Sequence, residues 1–129
     1  MRNNDFLPLH RLRVINTGLN LPAPLAAAQL ASLGAQVIKV EPPAGDPLAQ
    51  YCRPWYEALH AGVEIRRLDL KSTAGRDEMA RLLAKADILI TAQRPPALAR
   101  MGLDPEIIIN DYAKLAIVNI VGASGAQAG

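Results

Sequence analysis

Short apolar runs alternate with amphipathic segments along most of this chain, and that alternation constrains its fold more than any other feature. The runs predict strands over 12–16, 37–40, 65–70, 87–90 and 115–121, and the segments between them predict helices. Pro24 suits the first turn of a helix, Gly34 a left-handed helix end, and Ser72 a helix cap. Near-continuous apolar strands joined by helices predict an α/β fold, a Rossmann-like doubly wound parallel sheet of about five strands.

The domain organisation follows from the length and from the composition of the carboxyl-terminal tail. A chain of 129 residues fits one domain, which we expect to occupy residues 1–121. Residues 122–129 are small or polar and contribute nothing to a core, so they are interpreted as a tail or linker.

Residues 42–60 interrupt the alternation and are interpreted as a loop. The segment is rich in proline and glycine, and it holds Tyr51, Trp55 and Tyr56 in a chain with one Phe, one Trp and three Tyr. Aromatic side chains of this kind are enriched at interface hot spots. We therefore expect this loop to be mobile or to dock on a second copy of the chain or on a complementing subunit, with packing of Trp55 on its own domain as the alternative.

The charge and the cysteine content exclude several classes of protein. The 14 basic residues are dispersed against 12 acidic ones, and the close pairs Arg11/Arg13 and Arg66/Arg67 lack interleaved aromatics, so a nucleic-acid partner is not expected. Cys52 is the single cysteine, which excludes an internal disulfide and a cysteine-based zinc site. With no membrane-length apolar stretch in the sequence, a cytoplasmic location is expected.

The common nucleotide-binding motifs of other proteins are missing from this sequence. Neither the dinucleotide fingerprint G-x-G-x-x-G nor the P-loop pattern occurs, so Glu41, which ends a strand, is interpreted as an exposed strand-end carboxylate and not as a ribose ligand. His10 is placed in a disordered arm and His60 at the surface, and nothing near Ser124 would activate it. No catalytic residue and no metal ligand is predicted.

Several segments along the chain carry a resemblance to a known family. Residues 34–42, Gly-Ala-Gln-Val-Ile-Lys-Val-Glu-Pro, are followed by Gly-Asp-Pro at 45–47. The match continues through 68–72 with Gly75, and through 86–90, 94–95, 97–98 and 101–104. In this order and spacing the segments resemble the class III CoA-transferases, the CaiB/BaiF family, which also includes acyl-CoA racemases.

The resemblance implies an amino-terminal Rossmann-like domain that holds the nucleotide end of coenzyme A in acyl-CoA metabolism. Members are about three times as long as this chain and form interlocked dimers. Their transfer passes through an acyl-aspartyl intermediate and an aspartyl-CoA thioester, and the family's aspartate lies downstream of Gly129. Carried over to this chain, the resemblance implies that Leu68 packs on the adenine and Arg100 pairs with a phosphate, with core leucine and surface arginine as the alternatives. It also implies that this chain alone is inactive.

Departures from the family pattern raise an alternative function. They fall at Pro22-Ala23, Val63-Glu64, Ala92-Gln93, Pro96 and Ala123, where the family usually has Ala-Gly, Lys-Arg, Asn-Phe, glycine and an aromatic residue. Ala23 is expected to narrow access to the ligand, and the lost cations are expected to weaken CoA binding. The sequence therefore leaves two hypotheses: the CoA-binding portion of an acyl-CoA:carboxylate CoA-transferase or racemase, and a degenerate non-catalytic module for nucleotide binding or subunit interaction.

Overall fold

A computed structural model describes residues 7–121 of the chain, which form five strands and six helices. The strands are β1 (Arg13–Asn16), β2 (Gln36–Glu41), β3 (Glu64–Arg67), β4 (Ile88–Thr91) and β5 (Ala116–Asn119). The helices are α1 (Pro22–Ser32), α2 (Pro47–Tyr51), α3 (Arg53–Leu59), α4 (Thr73–Ala84), α5 (Pro95–Arg100) and α6 (Pro105–Asp111). No helix in the described range is long and apolar enough to cross a bilayer.

All four strand pairs in the sheet are parallel, and the strand order is β3-β2-β1-β4-β5. The order reverses between β1 and β4, because the chain builds β2 and β3 on one side of β1 and then returns to build β4 and β5 on the other. The prediction of a doubly wound parallel sheet of five strands is therefore confirmed. In such a sheet the crevice for a ligand opens at the carboxyl ends of the strands beside this reversal.

Helices cover both faces of the sheet, and successive residues of the central strands enter opposite cores. Along β1, Val14 packs with Ala23 and Ala27 of α1, whereas Ile15 packs in the larger core on the other face. Helices α4, α5 and α6 contribute to that larger core through the buried residues Met79, Leu83, Leu98 and Ile108. Burial on both faces explains why the central strands β1 and β4 are largely apolar without a polar alternation.

The helix ends follow the predicted cap chemistry. The Ser72 hydroxyl accepts a hydrogen bond from the Gly75 N–H at 3.0 Å, and the Asp104 carboxylate accepts one from the Glu106 N–H at 3.0 Å. Beyond the end of α1, Gly34 has φ 106°, the left-handed conformation that favours glycine. Local sequence signals therefore determine where these helices begin and end.

The loop predicted for residues 42–60 is wrong, because the segment folds into α2 and α3. A proline lies at the first or second helical position of each helix, where the missing N–H costs nothing, and Leu48 and Tyr56 are buried. The two prolines that suggested a loop are helix-starting residues. The interpretation of residues 122–129 as a tail lies outside the described residues, and the boundary at residue 121 stays a prediction.

Candidate functional site

A cleft of about 640 Å³ opens at the carboxyl ends of the strands, where the strand order reverses. Its walls come from the segments that follow β1 to β4 and from α5, namely residues 17, 19, 40–44, 68–71, 93, 97, 100 and 101. This volume lies within the range of roughly 300–1,000 Å³ that is usual for small-molecule and cofactor sites. We call it the cleft.

Both residues predicted to contact a ligand line the cleft. Leu68 follows β3 and is held in place by its N–H, which donates to the carbonyl oxygen of Glu41 at 2.9 Å. Arg100 ends α5 with an exposed side chain, and no carboxylate of residues 7–121 lies within 4.0 Å of its guanidinium. The structure brings the two residues together in one cavity, and their roles toward a ligand stay a prediction.

Four charged residues line the cleft: Glu41, Asp69, Lys71 and Arg100. Glu41 is buried and lies 3.3 Å from the ammonium of Lys39, so its charge is compensated inside the protein. The exposed walls therefore carry two cations and one carboxylate, an excess that favours an anionic ligand. Sequence reasoning missed the position of Lys71, although its place three residues after Leu68 is a signal that could have found it.

The first loop of the cleft shows that Ala23 does not narrow the site as expected. Ala23 is completely buried in the core beneath α1, and it is not among the residues that line the cleft. A Cβ placed on Gly18 would lie 2.2 Å from the Ala23 Cβ, so the alanine methyl occupies space that glycine at position 18 leaves free. The departure at position 23 is thus accommodated inside the domain.

Gln93 ties the loop after β4 to the loop after β1. Its Nε2 donates to the Thr17 carbonyl oxygen at 2.7 Å, and its Oε1 accepts from the Thr17 hydroxyl at 3.2 Å. Both residues line the cleft. The side chain at position 93, where the family usually has an aromatic ring, therefore joins two walls of the cleft.

A cluster of buried polar residues lies beside the cleft, between β2 and α3. The Lys39 ammonium donates to the Asp46 carboxylate and to Nε2 of His60, the latter at 2.8 Å, and lies 3.3 Å from Glu41 Oε2. The Tyr56 hydroxyl donates to the same Glu41 oxygen at 2.7 Å. We call these five residues, all less than a tenth exposed, the Lys39 cluster.

The hydrogen bonds of the Lys39 cluster determine its protonation. Since Lys39 donates to Nε2 of His60, the imidazole must be neutral with its proton on Nδ1, and Nδ1 lies 2.6 Å from the carbonyl oxygen of Tyr56. Burial lowers the pKa of His60, and the charge of Lys39 lowers it further. Burial and the hydrogen bond to Glu41 raise the pKa of Tyr56, which is therefore the un-ionised donor.

Asp46 combines a structural and an electrostatic role. Burial opposes its ionisation, but hydrogen bonds from Lys39 and from the N–H groups of Leu48 and Asn20 outweigh burial and lower its pKa. Asp46 caps α2, because its carboxylate accepts a hydrogen bond from the Leu48 N–H at 2.9 Å. Its carboxylate also joins β2, α2 and the first loop of the cleft.

Ligand atoms of Glu41, Asp46 and His60 all lie within 4.8 Å of one another, a spacing suited to a divalent cation. The Lys39 ammonium lies among these atoms and makes the contacts that a metal ion would make. A cation is therefore already present at the centre of the Lys39 cluster, and it belongs to the protein.

Two interpretations from the sequence are wrong here, because Glu41 is not exposed and His60 is not at the surface. The signal that could have found them lies in β2, where Lys39 and Glu41 share a face with buried Val37. A strand covered on both faces buries its polar side chains, and buried charges must be paired.

Two of the remaining candidates, His10 and Cys52, do not line the cleft. His10 is half-buried in a turn, with Nδ1 3.2 Å from the Leu7 carbonyl oxygen, so residue 10 is not in a disordered arm. Cys52 is half-buried between α2 and α3, whereas Ser124 lies outside the described residues.

Comparisons with known proteins agree with this architecture. The family described as "CoA-transferase family III" matches residues 9–127. The chain is 37% identical to a cinnamoyl-CoA:phenyllactate CoA-transferase of Clostridium sporogenes and 31% identical to a probable fatty acyl-CoA transferase of Mycobacterium tuberculosis. These matches cover 95% and 98% of this chain, but 32% and 36% of the relatives, so the chain spans about a third of their length.

A solved structure shows the same relation. The crystal structure of a CaiB/BaiF family protein from Brucella suis superposes with a TM-score of 0.87 and 30% identity over 94% of this chain and 35% of that one. The family match over most of the chain and the shared parallel sheet agree with each other. The chain therefore belongs to the class III CoA-transferases, the CaiB/BaiF family.

Proposed function

We propose that this chain supplies the coenzyme A-binding part of an acyl-CoA:carboxylate CoA-transferase. The observation that carries the proposal is the cleft, which holds Leu68 and Arg100 on its walls at the reversal of strand order. Coenzyme A or an acyl-CoA is the ligand that fits the family, and the alternative within the family is an acyl-CoA racemase. The proposal is supported by the relatives named above, which are a cinnamoyl-CoA:phenyllactate CoA-transferase and a probable fatty acyl-CoA transferase.

The charges on the cleft walls support a phosphorylated ligand. Arg100 and Lys71 offer cationic donors, and a hydrogen bond to a charged group contributes about 1.5–3 kcal/mol. Apolar walls from Leu68, Leu70 and Met101 suit the adenine and pantetheine portions. Loss of one phosphate contact should therefore weaken binding about 10- to 150-fold.

We place the nucleophilic carboxylate of the transfer outside residues 7–121. Glu41 and Asp46 are buried and bonded within the Lys39 cluster, so neither has a free oxygen at the surface. Asp69 lines the cleft, but one of its oxygens accepts from the Lys71 N–H at 3.0 Å and holds the turn before α4. The chain alone is therefore proposed to be inactive in acyl transfer.

Calorimetric titration with coenzyme A tests the binding proposal. The Arg100→Gln variant should bind at least about tenfold more weakly than the unaltered chain. Arg94→Gln is the matched control, since Arg94 is also an exposed arginine, lies at the N-cap of the same helix and does not line the cleft. Equal affinities of the Arg94 and Arg100 variants, or no binding by the unaltered chain, would contradict the proposal.

An exchange assay tests the proposed lack of catalysis. The purified chain is mixed with a labelled free carboxylate and an acyl-CoA, and new acyl-CoA is measured. No turnover is expected. Turnover that is lost in Asp69→Asn would identify Asp69 as the nucleophile and refute the placement of the catalytic carboxylate outside residues 7–121.

A second candidate function, a subunit-interaction module, is favoured by the outer surface of α2 and α3. Tyr51 and Trp55 are 69% and 58% exposed, although their helices are anchored from beneath by Leu48 and Tyr56. We propose that this surface, within residues 42–60, contacts a second copy of the chain or a complementing subunit. The exposure of the Trp55 side chain does not support the alternative that Trp55 packs on its own domain.

The fluorescence of Trp55, the single tryptophan, tests this contact. Emission should be blue-shifted at high protein concentration and move to the red on dilution, in parallel with the dissociation seen by sedimentation. Trp55→Phe serves to confirm the origin of the signal. Red emission at every concentration, with a monomer throughout, would contradict self-association, and addition of the complementing polypeptide would then be the remaining test.

A further inference from the structure

A second cavity, of about 270 Å³, lies at the amino ends of the strands, at the opposite end of the sheet from the cleft. Arg13 and Gln36, the first residues of β1 and β2, line it, as do Lys85 and Ala86 just before β4. Because the strands are parallel, these residues mark the amino ends of the strands, whereas the cleft lies at the carboxyl ends. We call this second site the basic cavity.

The floor of the basic cavity is apolar and belongs to the larger core or packs against it. Ile15 and Ile38 come from the sheet, and Leu82 comes from α4. Ile15 belongs to the larger core, and Ile38, Leu82 and Ala86 are half-buried against that core. A floor of this kind removes an aliphatic group from water without a rearrangement of the protein.

The rim of the basic cavity is strongly positive. Four cations and one carboxylate line the cavity, in a chain whose total formal charge is only +2: Arg13, Arg66, Arg81, Lys85 and Glu78. Glu78 binds both Arg66 and Arg81, each at 2.8 Å, and Arg66 also contacts Glu64, which lies outside the cavity.

Two of the rim cations remain available to a ligand. No carboxylate of residues 7–121 lies within 4.0 Å of the side chains of Arg13 or Lys85. The Asp87 carboxylate is close by, but it accepts from the backbone N–H of Arg13 at 2.8 Å. Asp87 does not line the cavity, and the one carboxylate of residues 7–121 that does, Glu78, is paired with Arg66 and Arg81, so the side chains of Arg13 and Lys85 remain without an ion-pair partner.

We propose that the basic cavity binds an aliphatic carboxylate of medium chain length, a site distinct from the cleft. The carboxylate lies between Arg13 and Lys85, where charge-assisted hydrogen bonds form, and the chain lies on Ile15, Ile38 and Leu82. The small volume suits a single aliphatic chain, and the apolar floor disfavours a polyanion, whose charges would lose water there without gaining donors.

Titration of the ¹⁵N-labelled chain with octanoate, followed by NMR, tests the proposal. Amide signals of residues 13–15 and 82–86 should shift with a dissociation constant of about 1 mM or lower, as expected for a ligand of this size. The double variant Arg13→Gln/Lys85→Gln should bind at least about tenfold more weakly. Arg100→Gln, which removes a cation from the cleft, should leave octanoate binding unchanged.

A second measurement does not depend on any variant. Octan-1-ol has the same chain without the charge, so it should bind the unaltered protein at least about tenfold more weakly than octanoate. Three results would overturn the proposal: no shifts up to about 10 mM octanoate, equal affinity for octanoate and octanol, or shifts centred on residues 17–19 and 93 of the cleft.

Discussion

Replacing Lys39 with methionine removes the central cation of the Lys39 cluster and nearly preserves its volume. Asp46 keeps two backbone donors, the N–H groups of Leu48 and Asn20 at 2.9 and 3.1 Å. Glu41 keeps the Tyr56 hydroxyl, but its nearest remaining cation is the exposed Arg67 at 3.9 Å, and its Oε1 has no hydrogen-bond partner among the described residues. Most of the lost stabilisation therefore falls on Glu41.

The expected loss is large for a domain of this size. Removing one partner of a buried charge network costs about 3–5 kcal/mol, whereas a whole domain has a stability of only about 5–15 kcal/mol. Urea unfolding followed by circular dichroism measures the loss. The control is Lys114→Met, because Lys114 is an exposed lysine without an ion pair among residues 7–121.

The pH dependence of the loss tests the same reasoning. In the Lys39→Met variant, His60 would face two carboxylates without the repelling ammonium, so its pKa should be less depressed than in the unaltered chain. A depressed folded pKa costs stability once the pH falls below the unfolded value, so the variant should lose less stability through His60 on acidification than the unaltered chain does. The difference in the free energy of unfolding between the unaltered chain and the variant should therefore be smaller at about pH 5.5 than at about pH 7.5. A loss below about 1 kcal/mol, typical of exposed ion pairs, with no such pH trend would refute the account.

Three other predictions concern the unaltered chain and its glycines. The stability of the unaltered chain should fall as the pH is lowered below 6.5, because the pKa of His60 is depressed in the folded state and the unfolded chain binds the proton first. In urea unfolding, the free energy of unfolding of His60→Asn should therefore depend less steeply on pH in this range. Gly75→Ala places a Cβ 1.9 Å from the Asp69 carbonyl oxygen and should lower the free energy of unfolding by about 3 kcal/mol or more. Gly62→Ala meets open space, but residue 62 has φ 77°, so this control should cost only about 1 kcal/mol. Thermal unfolding of both variants measures the difference. Gly18→Ala should destabilise the chain through its contact with Ala23, and the double variant Gly18→Ala/Ala23→Gly should recover most of the loss; no recovery would contradict the pairing.

The sequence predicts the sheet well because its signals are local. Apolar runs mark β1 to β5, and Ser72, Asp104 and Gly34 mark helix ends through contacts a few residues away. The strand limits shift by one or more residues, most of all in β3, which spans 64–67 instead of the predicted 65–70. Strand ends depend on pairing with neighbours, which a single run of residues does not encode.

The candidate site is predicted less completely because it depends on long-range contacts. Leu68 and Arg100 were found through family resemblance, and the structure places them in one cavity. The Lys39 cluster was missed, since Lys39 and His60 are 21 residues apart and only the packing of α3 on β2 brings them together. The proline and glycine content of residues 42–60 predicts a loop, although Pro47 and Pro54 lie in the first turns of α2 and α3.

The Asp46 carboxylate has a consequence for the energetics of ligand entry. Asn20 lies in the loop after β1 with φ 66°, a conformation unusual for residues other than glycine, and its N–H is held by Asp46 from 26 residues away. The loop is thus ordered by the protein itself, through the same side chain that begins α2. A ligand that enters the cleft finds this wall already preorganised, so little of its binding free energy is spent on freezing the loop. Because Asp46 holds both this loop and the first turn of α2, the loop cannot move far to fit a bulkier ligand unless the cap of α2 is also disrupted.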